Sequence, residues 1–181
     1  MESLSRLNAS IFVYVLERVP AAPDGFTWKF EEPAGEPVQV VGASRLQVDP
    51  SASVVFTLGG LGRRVVVTLT DAEAARMAPV LARIEREAPV DPAAVALPLD
   101  DPWLSANGRA GVALLPPSAT RFFPKLPDAI LFDEGALLVS AAVFLDPEEL
   151  ALAREHGVST LAERFRVAGR NMVRFAHRAR T

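Results

Sequence analysis

ALLVSAAVFLDPEELALAREHGVSTLAERF, residues 136–165, changes its hydrophobic period once, and the point of change decides the fold. Leu137, Leu138, Val139, Val143, Phe144 and Leu145 have the run length and branching of a buried strand. At Asp146 the spacing turns helical. Asp146 can accept from the orphan N–H groups of a first turn, Pro147 needs no donor there, and Glu149 stands where a capping-box acid belongs. Leu150, Ala151, Leu152 and Ala153 then cover one side of a short helix, which Gly157 closes in a left-handed conformation.

A similar unit lies upstream in VVVTLTDAEAARMAPVLARI, Val65 to Ile84. With Thr70 set on Asp146, Glu73 falls on Glu149 and Leu69 on Leu145. An internal duplication would explain the match, as would the common form of any capped strand-to-helix junction. The expected fold class is therefore α+β: two sheet-plus-helix halves with mostly antiparallel strands, residues 1–97 and 98–181. Their junction lies within APVDPAAVALPLDDP, residues 88–102, where four prolines interrupt any sustained period.

Working outward, Asp133-Glu134-Gly135 is a tight turn, so 129–132 and 136–145 form a hairpin, and Gly111 to Leu115 supplies another strand. Residues 1–19 read as a strand through Ile11-Phe12-Val13-Tyr14-Val15, although Leu4, Leu7, Ile11 and Val15 also fit a helical stripe. PAAPDG at 20–25 is a turn, and Phe26, Trp28 and Phe30 alternate as a strand would. Short strands follow in VQVV, SRLQV, SVVFTL and RRVVVTL, with Gly42 as a candidate bulge and GGLG at 59–62 as a hairpin connection. That glycine-rich loop is no phosphate cradle, because a strand follows it and no Lys-Ser/Thr pair closes it. A helix from Asp71 to about Glu87 buries Ala74, Met77, Ala78, Leu81 and Ile84, with Pro79 expected to kink or divide it.

Half of the 181 residues are hydrophobic and 23% are charged, enough apolar surface for a packed core. The absence of cysteine removes disulfides, thiolate zinc sites and cysteine nucleophiles. No stretch approaches the roughly 20 apolar residues of a membrane span, so a soluble cytoplasmic protein without membrane contact is expected. The net charge of -3 is unevenly spread: six arginines follow Thr160 against Glu163 alone, leaving 13 basic and 21 acidic residues before it.

A last helix is expected from Thr160 to about His177, capped by Thr160 and Glu163. Leu161, Phe165, Ala168, Met172, Phe175 and Ala176 would share one face, and Arg166, Arg170, Arg174 and Arg178 the other. Such a ridge is either a solvated face or a contact for an acidic protein. Nucleic acid is not expected, because the acidic remainder repels phosphate.

Two histidines are too few for most metal or triad sites, and His156 and His177 each have a structural use at a helix end or in the arginine ridge. Adjacent carboxylates at Asp100-Asp101 sit in turn-like sequence, no serine stands in a G-x-S-x-G elbow, and no catalytic residue, metal site or cofactor is expected. The candidate partner-binding residues are Phe122, Phe123 and Trp103 as aromatic anchors, with Arg166, Arg170 and Arg174. The enzymatic alternative would use Asp100, Asp101 or His156 in an acidic cleft between the halves. A third alternative is a homo-oligomer formed through the last helix.

VALLPPSATRFF, the hairpin arm LLVSAAVFL and DPEELALAREHGVSTLAERF together resemble the carboxyl part of the suppressor of fused-like domain, over residues 110–168. Before Pro98 no such resemblance is found. The resemblance implies an α+β fold without a catalytic centre. It also implies binding of a protein partner, as eukaryotic members clasp a peptide between two lobes and add it to a sheet. Bacterial members act as immunity proteins, so a toxin or effector is the expected partner.

Overall fold

The computed structural model describes residues 2–19, 27–31, 38–47, 49–58, 64–89, 94–132, 135–171, 173 and 175, with backbone alone for 2–5 and 27–31. The elements in order are α1 (Glu2–Arg18), β1 (Thr27–Glu31), β2 (Gln39–Ala43), β3 (Ser53–Thr57), β4 (Arg64–Thr70), α2 (Ala74–Glu87), β5 (Val95–Pro98) and α3 (Pro102–Ala106). Then come β6 (Gly111–Leu115), a 3-10 turn at Pro117–Ala119, β7 (Ala129–Phe132), β8 (Gly135–Leu145), α4 (Pro147–His156) and α5 (Val158–Ala168). The fold is α+β. The expected turns at 20–25 and Asp133-Glu134 and the connection at 59–62 lie outside the described residues.

One eight-stranded sheet runs β1-β2-β3-β4-β8-β6-β5, with β7 pairing β8 beside β6. Every pairing is antiparallel except β4 with β8, where Arg64–Val67 lie against Leu138–Ala141 in parallel. The two expected halves therefore share a single sheet through this seam, and the expected division at 97/98 passes through β5.

Alternation along each strand sorts the core onto two faces. Val41, Val54, Phe56, Val65, Val67, Val139 and Ala141 pack with Ile11 and Val15 of α1. Farther along the same face, Ala113, Leu115, Val143 and Leu145 meet Leu150, Ala153, Leu161 and Phe165 of α4 and α5. On the opposite face, Val40, Val55, Val66, Val112, Leu114, Ala142 and Phe144 pack with α2 and with Leu104 of α3.

The long arm β8 is formed as read, and its hairpin with β7 sets Ala129 against Leu138 and Phe132 against Gly135. Asp146 Oδ1 accepts from Glu149 N at 2.8 Å while Glu149 Oε2 accepts from Asp146 N at 3.0 Å, completing the capping box. Gly157, at φ 85, closes α4 and opens α5.

Several expectations are corrected. Residues 2–18 form a helix, because Ile11 and Val15, one turn apart, are both fully buried and Phe12 stacks at 6.2 Å on Phe56. The helical stripe outweighed β propensity. Gly42 pairs in regular register with both Trp28 and Val55, so β2 has no bulge there. Ser44 to Gln47 is a turn: Arg45 has φ 55, and Leu46 N donates to Ala52 O. The helix α2 begins at Ala74, since Thr70 Oγ1 accepts from Ala72 N in a local turn, and it runs unbroken past the exposed Pro79. The last helix starts at Val158 without the Thr160 cap and stops at Ala168, because Gly169 takes a left-handed conformation, φ 62, and its N–H returns to Phe165 O. Thr160 Oγ1 instead donates to His156 O.

The duplication is not realised. β4 and β8 run the same way, but α2 packs on one face of the sheet and α4 on the other.

Candidate functional site

That divergence builds a crevice. Two neighbouring parallel strands whose chains leave toward opposite faces open a gap at their carboxyl ends, the place where open sheets take ligands. The β4–β8 ladder ends at Val67 and Ala141. Beyond it, Thr68–Thr70 keep their ladder to β3, and Ala142–Leu145 keep theirs to β6. The facing edges are spanned by Thr68 Oγ1, which donates to Ala142 O at 2.9 Å.

The chain's own carboxyl segment crosses this gap. Val173 packs against the core on the α1 face, whereas Phe175, 4% exposed, belongs to the core on the α2 face. Asp71, just past the end of β4, holds the crossing from both sides: its N–H donates to Val173 O at 3.1 Å and its Oδ1 accepts from Phe175 N at 2.7 Å. Arg109 Nε donates to Phe175 O at 2.7 Å. The Phe175 ring stacks on Trp103 at 4.6 Å and meets Phe144 edge-on at 5.3 Å.

Arg170 anchors the segment where it leaves α5. Its guanidinium pairs with Glu149, Nε to Oε1 at 2.6 Å, donates to Phe144 O at 2.9 Å and lies 4.5 Å from the Phe165 ring centroid. Burial raises the Glu149 carboxyl above the ordinary glutamate range, against the pull of Arg170 and the Asp146 N–H. Burial likewise lowers the Arg109 guanidinium, helped by the Arg170 charge and opposed by Glu149, Asp146 and Asp71. The crevice mouth thus holds two guanidinium groups among three carboxylates.

On the α1 face an open hollow of about 220 Å³, counting space open to solvent, remains between Thr68-Leu69 and Ala141–Val143. Thr120, Phe122 and Phe123 roof it.

Of the expected binding residues, Phe122 and Phe123 meet at this hollow, although Phe123 is 4% exposed and packs in the core as no free anchor would. Trp103 is likewise engaged, by Phe175. The arginine ridge is corrected, since the helix that would carry it ends before Arg170. Arg166 remains on the exposed side of α5, paired with Glu163, and Arg174 lies outside the described residues.

The residues proposed for an acidic cleft do not converge. Asp101 caps α3 by accepting from Trp103 N and Leu104 N, while exposed His156 ends α4 on the other face, beside Glu155 at 3.6 Å. Among the described residues no group of three His, Asp or Glu side chains is placed to hold a metal ion, and no helix is long and apolar enough to cross a membrane.

Sequence reasoning missed Asp71, Arg109 and Phe175. Phe175 continues the apolar period of α5 in the sequence, which hid its departure from the helix. Gly169 was the available signal, being a residue suited to a left-handed helix stop.

No protein-family model matches the chain, and no curated protein matches it in sequence. Among solved structures it is similar to the crystal structure of a protein described as a SUFU (suppressor of fused protein) homolog from Neisseria gonorrhoeae. The TM-score is 0.71 at 14% identity, covering 97% of this chain and 96% of that one. The likeness extends well beyond residues 110–168 and takes in both halves, correcting the expectation that it stops near Pro98. The chain has a suppressor of fused-like fold.

Proposed function

We propose that this protein is a non-enzymatic binding module that takes an extended polypeptide segment into the crevice between β4 and β8. One observation carries the reading: Val173 and Phe175, outside any helix, already lie toward opposite faces of the sheet there, held through their backbone groups by Asp71 and Arg109. Backbone contacts of this kind give affinity for any extended segment, and pockets for alternate side chains give selectivity. The solved structural neighbour's description as a suppressor of fused homolog supports protein binding over chemistry.

In its most specific form the module is an immunity-type protein neutralising a toxin or effector. The 21 acidic residues before Thr160 suit a basic partner by speeding encounter and fixing orientation.

A phage-displayed library of random linear peptides, panned against the full chain, tests the binding site. Selected peptides should slow amide exchange at Thr68–Thr70 and Ala142–Leu145. No enrichment, or protection confined to another surface, would contradict it. Binding to the product of the adjacent gene would test the immunity form.

A further inference from the structure

We infer that the carboxyl segment is a displaceable latch on the crevice, and that it displays the chemistry of the segment the crevice accepts: an apolar residue followed two positions later by an aromatic one. The inference rests on the proposed binding role and deepens it. Val173 and Phe175 pass to opposite faces of the sheet, so a segment in their place needs side chains for both. The aromatic subsite is the wall of Trp103 and Phe144, and its backbone anchors are Asp71 Oδ1 for an N–H and Arg109 Nε for a carbonyl.

Two features mark a latch. The segment's described residues Asn171, Val173 and Phe175 lie outside the sheet ladders and follow a helix that already has its own stop at Gly169. Among the segment's described residues, Arg170, Val173 and Phe175 make the contacts that hold it. A tethered occupant competes at a local concentration on the order of millimolar, so a partner must bind the open crevice well to displace it.

The test uses the full-length chain, wild type and Phe175→Ala, with a fluorescein-labelled peptide GRNMVRFAH copying residues 169–177. Anisotropy should show the peptide binding Phe175→Ala about fivefold more tightly than wild type, since the latch reduces apparent affinity by the fraction of time it is open. A peptide with Phe175→Ala should bind neither. Equal binding of the parent peptide to both chains, or binding to neither, would overturn the inference.

Should Phe175→Ala fail to fold, amide exchange in wild type decides. A latch requires the Phe175 amide to exchange through an opening cheaper than global unfolding, and exchange only through global unfolding would overturn it. The binding role fails separately. If Phe175→Ala admits the peptide but the random library yields no ligand, the latch stands and the proposed function falls. If library peptides bind both chains equally, the function stands and the latch falls.

Discussion

Replacing Phe175 with alanine separates a latch from a permanent part of the core. Truncating a buried phenylalanine in a cooperative core costs about 3–5 kcal/mol. Phe175 is buried to 4% exposure against Trp103 and Phe144, so on contacts alone it belongs to that class. The segment's own balance says otherwise. Burying the ring contributes about 2–3 kcal/mol and its two aromatic contacts about 2 more. Three hydrogen bonds to Asp71 and Arg109 add about 1 kcal/mol each, the charged bonds of Arg170 about 2 and the packing of half-buried Val173 about 1, for roughly 10–11 in all. Against this, fixing Gly169, Arg170, Asn171, Val173 and Phe175 costs about 5–10 kcal/mol in backbone freedom and about 2 in side chains, about 9.5 at mid-range. Over its described residues the segment is thus held by about 1 kcal/mol, and its loss cannot cost the remainder more than that hold.

Urea unfolding of Phe175→Ala, followed by far-ultraviolet circular dichroism, should therefore show a loss of about 1–2 kcal/mol, well short of a core truncation. In wild type, Trp103 fluorescence should change before the main transition as its stacking partner Phe175 departs. A loss of about 4 kcal/mol in one transition shared by both signals would refute the reasoning.

Further outcomes follow from other parts of the fold. Arg64, 1% exposed, donates to Ser140 Oγ and Pro89 O, and its guanidinium, lowered by burial, faces the charge of buried Glu85. Arg64→Met should cost about 3–5 kcal/mol in urea unfolding, and Arg64→Met with Glu85→Leu should recover at least half, because a buried carboxylate that loses its facing guanidinium is worse than an apolar side chain there. Equal losses in the two variants would contradict this. At Gly111 a Cβ would lie 2.5 Å from Leu97 O and 3.0 Å from Leu150 Cδ1, so Gly111→Ala should lose about 1–3 kcal/mol in thermal unfolding as β5 or α4 shifts; an unchanged midpoint would contradict the packing. Since burial raises the Glu149 carboxyl, its contribution to stability is full below the ordinary value near 4.5 and declines as pH rises through the raised value. The stability of wild type minus Glu149→Gln should therefore fall as pH rises from near 4.5 through the raised value, and a rising difference would mean that the Arg170 pair outweighs burial.

What the sequence made legible was local. Asp146-Pro147-Glu149 carries its cap within four residues, and the β7–β8 hairpin and the strand Gly111–Leu115 follow from short-range punctuation and branching. Residues 11–15 were ambiguous, because β-branched residues at helical spacing satisfy two periods, and only the sheet surface under Ile11 and Val15 chooses between them. The strand Val95–Pro98 lay hidden among prolines, as an edge strand can be. The crevice was beyond reach for a different reason. It depends on β4 and β8 lying side by side while α2 and α4 depart to opposite faces, and pairing between residues more than 70 positions apart leaves no local trace. The candidate site was legible only in part: Phe122, Phe123, Trp103 and Arg170 all lie at or beside the crevice, but as its roof, wall and clamp.

Amide exchange on the wild-type chain, titrated with a peptide selected from the random library, tests the central claim most directly. Entry of that peptide into the crevice should slow exchange at Thr68–Thr70 and Ala142–Leu145 and, over the same concentrations, speed exchange at Phe175 as the carboxyl segment leaves. Binding that leaves Phe175 as protected as before, or more so, would show that the segment and the ligand do not share the crevice.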